Sequence, residues 1–195
     1  MKKVPLVAAF VLASCTNGDS PTGTGSLTNV IVPLKLGNSW MYSATSYDEN
    51  GVGYAWLPYT LELLQDTILN NETCYFIGGE RTLVVNRYDG LWGFDLGTIP
   101  QYLVLKYPSS EGYTYSTGSE REYTITVHNR DTSVAVASGR YSCYLYLARH
   151  VSGSEIQAFV APNTGIVMAE FFEKKQFGGT YLSLRMVLTD LHLQE

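Results

Sequence analysis

Histidines, serines, carboxylates and glycine pairs are the groups in this chain whose type could support catalysis or ligand chemistry, so their spacing decides what they can do. His128, His150 and His192 each stand alone. None has a second histidine or a carboxylate at a short metal-binding interval such as H-E-x-x-H, and each reads as an exposed residue at a strand end. A serine hydrolase of the nucleophile-elbow type needs G-x-S-x-G, and the nearest stretches, Gly118-Ser119-Glu120 and Ser152-Gly153-Ser154, read as polar loops. Gly51-Val52-Gly53 has neither the third glycine nor the following helix of a dinucleotide-binding turn. Glu170 and Glu173 belong to a charged run through Lys175 that reads as a solvated strand end, and two carboxyls make a glycosidase only when the fold sets them roughly 5–10 Å apart. The sequence therefore names no catalytic residue, no metal ligand and no cofactor, and it leans away from an enzyme.

The cysteines carry more information. Cys15 closes a segment that opens with Lys2 and Lys3 and runs uncharged from Val4 to Ser14. That is a basic n-region and an apolar h-region, and eleven uncharged residues are too few for a permanent span, which needs roughly 20. The sequence Leu12-Ala13-Ser14-Cys15 resembles the lipobox of bacterial lipoprotein signal peptides: an aliphatic residue, two small ones that admit a protease, then cysteine. The resemblance implies cleavage before Cys15, conversion of its thiol to a diacylglyceryl thioether, and acylation of the new amino terminus by a fatty acid such as palmitate. Acyl chains contribute about 0.8 kcal/mol per buried methylene, so two or three hold a protein stably to a membrane. Thr16 rather than Asp follows the cysteine, which in such lipoproteins implies the outer membrane where the cell has one.

Cys74 and Cys143 remain. An exported compartment permits a bridge between them, and their wide separation argues against a C-x-x-C redox motif or a structural zinc site. Each precedes a tyrosine after a turn-like stretch, so a disulfide and two buried free thiols are both open readings.

Residues 16–29, TNGDSPTGTGSLTN, hold one apolar side chain, Leu27. They cannot bury enough surface to offset their ordering entropy and read as a flexible tether spanning about 20 Å. The expected organisation is a signal peptide at 1–14, a lipidated cysteine and tether at 15–29, and a folded domain at 30–195. Removing residues 1–14 leaves 11 basic and 18 acidic residues, a net charge of −7, which disfavours nucleic acid and anionic headgroups as partners.

Fifteen tyrosines, three tryptophans and seven phenylalanines, with only 16% charged residues, favour strands over helices. Tyr123, Ile125 and Val127 alternate with Thr124 and Thr126, and Leu182, Leu184, Met186 and Leu188 alternate with Ser183 and Arg185. Asp89-Gly90 reads as a tight hairpin turn. Leu61, Leu64 and Ile68 would also suit a helical stripe, but an internal echo argues for strand. Pro33-x3-Gly37-x2-Trp40 returns as Pro108-x3-Gly112-x2-Tyr115, Tyr59-Thr60 as Tyr123-Thr124, Asp66-Thr67 as Asp131-Thr132, Cys74-Tyr75 as Cys143-Tyr144, and Gly90-Leu91 as Gly165-Ile166. The expectation is an all-β antiparallel meander forming a curved sheet or open barrel, built from similar halves at 33–100 and 105–195, with a β-sandwich as the alternative.

The stretches Pro33-Leu34-Lys35-Leu36-Gly37-Asn38-Ser39-Trp40 and Ala161-Pro162-Asn163-Thr164-Gly165-Ile166-Val167, with Gly139-Arg140-Tyr141-Ser142-Cys143-Tyr144 between them, resemble recurrent motifs of uncharacterised bacterial envelope lipoproteins. The resemblance implies a lipid-anchored protein and brings no activity with it. Physically the motifs read as architecture, with glycines at turns and Trp40 and Ile166 opening apolar strands. The aromatic excess leaves one functional opening, because exposed Trp and Tyr stack on sugars or line amphiphile pockets. The leading expectation is a non-enzymatic envelope protein that binds a partner protein, a glycan or an amphiphile, with an amphiphile carrier or an exported hydrolase as alternatives. A smooth apolar cavity would favour binding, and converging titratable groups in a deep pocket would favour the enzyme.

Overall fold

The computed structural model describes residues 29–77, 82–95, 98–117 and 122–194. The signal segment, Cys15, most of the tether and the stretch Gly118-Ser119-Glu120 lie outside the described residues. Strands are β1 (Ser39–Tyr47), β2 (Gly53–Ala55), β3 (Tyr59–Glu62), β4 (Asp66–Leu69), β5 (Glu72–Ile77), β6 (Thr82–Arg87), β7 (Gly90–Asp95), β8 (Thr98–Lys106), β9 (Thr114–Thr117), β10 (Tyr123–Val136), β11 (Gly139–His150), β12 (Glu155–Ala161), β13 (Gly165–Lys174) and β14 (Thr180–His192). No helix occurs among the described residues.

All pairings are antiparallel and fall in two sheets. The larger has nine strands in the order β2-β1-β14-β13-β12-β11-β10-β9, with β3 also on β1; the smaller is the meander β4-β5-β6-β7-β8. The larger sheet does not close into a barrel: β9 ends one edge, and β2 and β3 share the flank of β1 at the other. The chain is thus all-β, with a large antiparallel sheet and a small one.

Alternation predicts which side chains turn inward. On β14, Leu184, Met186 and Leu188 are buried in the main core while Arg185 faces away to pair with Glu170. Full burial stabilises each such aliphatic by about 1.5–3 kcal/mol relative to exposure. The core lies between the sheets, because Val84, Leu91 and Leu105 of the small sheet cluster with Tyr42, Ile125 and Tyr146 of the large one. Each sheet also carries a smaller cluster, Cys74 with Leu83, Val85 and Phe94, and Cys143 with Val134, Ala161 and Val167. The run Leu83-Val84-Val85 is buried throughout because its residues feed both clusters in turn.

The segment that would suit a helix is two strands. Tyr59–Glu62 pairs with β1 and Asp66–Leu69 with β5, leaving Leu63 fully buried in the crossing between the sheets. Echoed residues take matching registers: Thr67 stands opposite Cys74, and Thr132 opposite Cys143. The β6–β7 turn differs from expectation by one residue. Arg87 pairs with Gly90, so Tyr88 and Asp89 make the turn. Gly90 instead has φ +145° within the strand, and a Cβ there would lie 2.1 Å from the Leu105 carbonyl oxygen, so close approach of β8 requires the glycine.

Candidate functional site: a cavity between the sheets

The register of the large sheet sets transverse rows of inward side chains. Ala44, Met186, Ala169 and Ala158 stand side by side across β1, β14, β13 and β12. One row further along stand Ser46, Leu184, Phe171 and Ile156. Ala169, the alanine of the first row that faces the space beneath the small sheet, leaves depth there. The space there is a cavity of about 90 Å³, bounded by Tyr42, Ala169 and Met186 below and by Val84, Leu91 and Leu105 above. At roughly 30 Å³ for each water-sized group, it has room for about three.

Two tyrosines at the wall are stacked, rings 5.5 Å apart. The Tyr42 hydroxyl donates to the Ile166 carbonyl at 3.0 Å and the Tyr59 hydroxyl to the Met186 sulfur at 3.1 Å. Burial pushes both phenols well above the ordinary tyrosine range, so they stay protonated and donate. The cavity is therefore apolar, with its hydroxyl groups already engaged.

A second hollow of about 240 Å³ opens beyond Phe171, which lines both spaces. Its wall combines the rings of Trp56, Tyr123, Phe171 and Phe172 with the carboxylates of Glu155 and Glu173. Several donors there are committed inward. The Trp56 indole donates to Ser46 Oγ at 2.9 Å, Ser46 Oγ to the Tyr54 carbonyl at 3.4 Å, and Ser183 Oγ to the Phe171 carbonyl at 3.1 Å. Glu173 accepts from the Tyr181 hydroxyl at 3.2 Å, and Glu155 from Arg149 at 3.0 Å and Gln157 at 3.2 Å.

The opposite end of the sheet is closed by the two recurrent motifs. The Trp40 indole donates to the Thr164 carbonyl at 2.6 Å, and Asn163 and Val30 exchange two hydrogen bonds at 2.7 and 3.1 Å. Gly165 has φ +98°, and a Cβ there would meet the Trp40 nitrogen at 3.4 Å. A third hollow of about 660 Å³ runs beside this closure, past Asn38, Asn86 and Gln194. Its amides tie chain segments together: Asn38 donates to the Pro33 carbonyl and accepts from the Gln194 amide, both at 2.8 Å, and Asn86 donates to the Val32 carbonyl at 2.7 Å. It is a structural seam.

The residues singled out from sequence are dispersed. Cys74 and Cys143 are free buried thiols in separate clusters, not a disulfide, each donating weakly to the carbonyl two residues earlier. Burial raises them, Cys74 to about 11 and Cys143 to about 12. His128 lies within β10 at a register irregularity rather than at a strand end. His150 ends β11, packed on Tyr123 with its Nδ1 2.6 Å from Ser152 Oγ, and His192 ends β14 beside Gln194. Glu170 is not a solvated end, since it pairs with Arg185 at 2.6 Å in mid-strand, whereas Glu173 is exposed at the hollow. Among the described residues no three His, Cys, Asp or Glu side chains gather as a metal site. Sequence reasoning missed Phe171, Trp56 and Ala169; for the two aromatic residues the aromatic excess was the trace.

No family model matches the sequence, and no curated protein matches it. A crystal structure of a candidate lipoprotein from Parabacteroides distasonis is similar at 12% identity, with 86% of this chain and 100% of that chain covered and a TM-score of 0.46.

Proposed function

We propose that the chain is a lipid-anchored protein of the bacterial envelope that binds an apolar or amphiphilic ligand and does so without catalysis. The apolar cavity between the sheets carries the binding half of this reading. A space walled by aliphatic and aromatic side chains, with its phenols engaged and held neutral, suits an alkyl or small aromatic group. The anchor half rests on the basic start, the short apolar stretch and Leu12-Ala13-Ser14-Cys15, which put an acylated cysteine at the head of a polar tether. Thr16 directs the reading to an outer membrane where one exists.

Two measurements test it. Radiolabelled palmitate should enter the wild-type chain and be lost in Cys15→Ser; label retained in the variant would reject the anchor. Residues 16–195 hold all of the described fold, and this soluble form should retain lipid-derived molecules from envelope extract by native mass spectrometry. Turnover of hydrolase substrates, eliminated by changing one histidine, serine or glutamate with the fold intact, would replace binding with catalysis.

A further inference from the structure

The hollow beyond Phe171 has a chemistry of its own. We propose that it seats the cationic ammonium head of a single-chain amphiphile whose alkyl end passes Phe171 into the inter-sheet cavity; this rests on the binding reading above and names its ligand class. Three features of the hollow converge on that occupant. Its aromatic wall, Trp56, Tyr123 and Phe172, offers ring faces, which attract a desolvated cation. Of its two carboxylates, Glu155 is already paired with Arg149, while the exposed Glu173, which accepts from Tyr181, leaves a net negative charge that favours a cationic head over sulfate, phosphate or carboxylate. The protons of Trp56, Ser46 and Ser183 already go to Ser46, to the Tyr54 carbonyl and to the Phe171 carbonyl. The Tyr123 and Ser154 hydroxyls also line the hollow, so donors for a sugar are few rather than absent, and it is the ring faces with Glu173 that favour an ammonium group.

Size and adjacency fit the same ligand, since Phe171 lines both spaces. At about 240 Å³ the hollow lies below the roughly 300–1,000 Å³ of pockets for drug-sized molecules, so it holds a head group rather than a whole lipid. The cavity behind Phe171 is apolar, and its room for about three water-sized groups suits the end of an alkyl chain, since a methylene is about as large as a water.

Titration of residues 16–195 with dodecyltrimethylammonium, dodecyl maltoside and dodecyl sulfate, each below its micelle concentration, tests this by tryptophan fluorescence. Trp40 lines the cavity and Trp56 the hollow, so Trp40→Phe and Trp56→Phe separate the signals of tail and head. The cationic chain should bind at least tenfold tighter than the maltoside and the sulfate. Glu173→Gln should reduce that preference below threefold, and Phe171→Trp should weaken all three chains about tenfold. Circular dichroism and melting of each variant confirm that the fold persists. Equal affinity for the three heads, with binding still abolished by Ala169→Phe, would overturn the head-group proposal and leave the cavity reading standing. Failure of every chain to bind would overturn both, and a preference for maltoside would replace the ammonium head with a glycosyl one.

Discussion

The inner face of the large sheet ends in two different ways. At the end where Trp40 and Gly165 meet, polar groups are paired with one another: the indole with Thr164, Tyr42 with Ile166, Asn38 with both Pro33 and Gln194. At the other end, rings and carboxylates line an open hollow around Trp56, Phe172 and Glu173. The same sheet thus joins a locked end to a receptive one, with the cavity between them. Locked ends are made of short sequence-local turns with positive-φ glycines, which leave motifs. Receptive ends are made of side chains from strands far apart in sequence, which do not.

The largest expected effect breaks this comparison at its locked end. Trp40 is 2% exposed, and Trp40→Ala should cost about 3–5 kcal/mol in urea unfolding, while Trp56→Ala should stay within about 0.5 kcal/mol and act on ligand affinity instead. Equal costs for the two would erase the distinction between the ends. Next in size is Asn38→Ala, which removes the buried amide that bonds both the Pro33 carbonyl and the Gln194 N–H and should cost about 1–3 kcal/mol in the same measurement. Gly165→Ala introduces a Cβ at φ +98° against Trp40, and a loss of about 1–2 kcal/mol is expected by thermal melting.

The smallest effect concerns the thiols. Burial holds Cys74 to about 11 and Cys143 to about 12, above their ordinary value of 9.0. The unfolded chain therefore releases these protons first as pH rises, so their contribution is intact below about pH 9 and lost as pH climbs through the folded values. Melting temperatures across that window should fall less steeply in Cys143→Ala than in the wild type, and thiol-alkylating reagents should label the native chain slowly at pH 8. Rapid labelling would show that the clusters open.

Much of the fold was legible because alternation is local. Tyr123 to Val127 and Leu182 to Leu188 announce strands with a buried face, and both are strands. The split into two sheets was not legible, since it turns on Leu63 crossing between them within a segment whose apolar spacing also suits a helix. The Asp89-Gly90 turn was displaced by one residue because the glycine serves an approach of β8, a tertiary demand with no local trace. The cavity was hidden for a related reason: Tyr42, Met186 and Ala169 come to one wall only through the pairing of three strands, β1, β14 and β13.

The central claim is that the space over Ala169 and Met186 receives an alkyl end. A crystal of residues 16–195 grown with 12-bromododecyltrimethylammonium places an anomalous scatterer at the end of the chain. The account predicts bromine density between Ala169, Met186 and Leu105, with the ammonium group among Trp56, Phe172 and Glu173. Bromine on the outer surface, or at the seam beside Asn38, with the inter-sheet cavity empty, would contradict it.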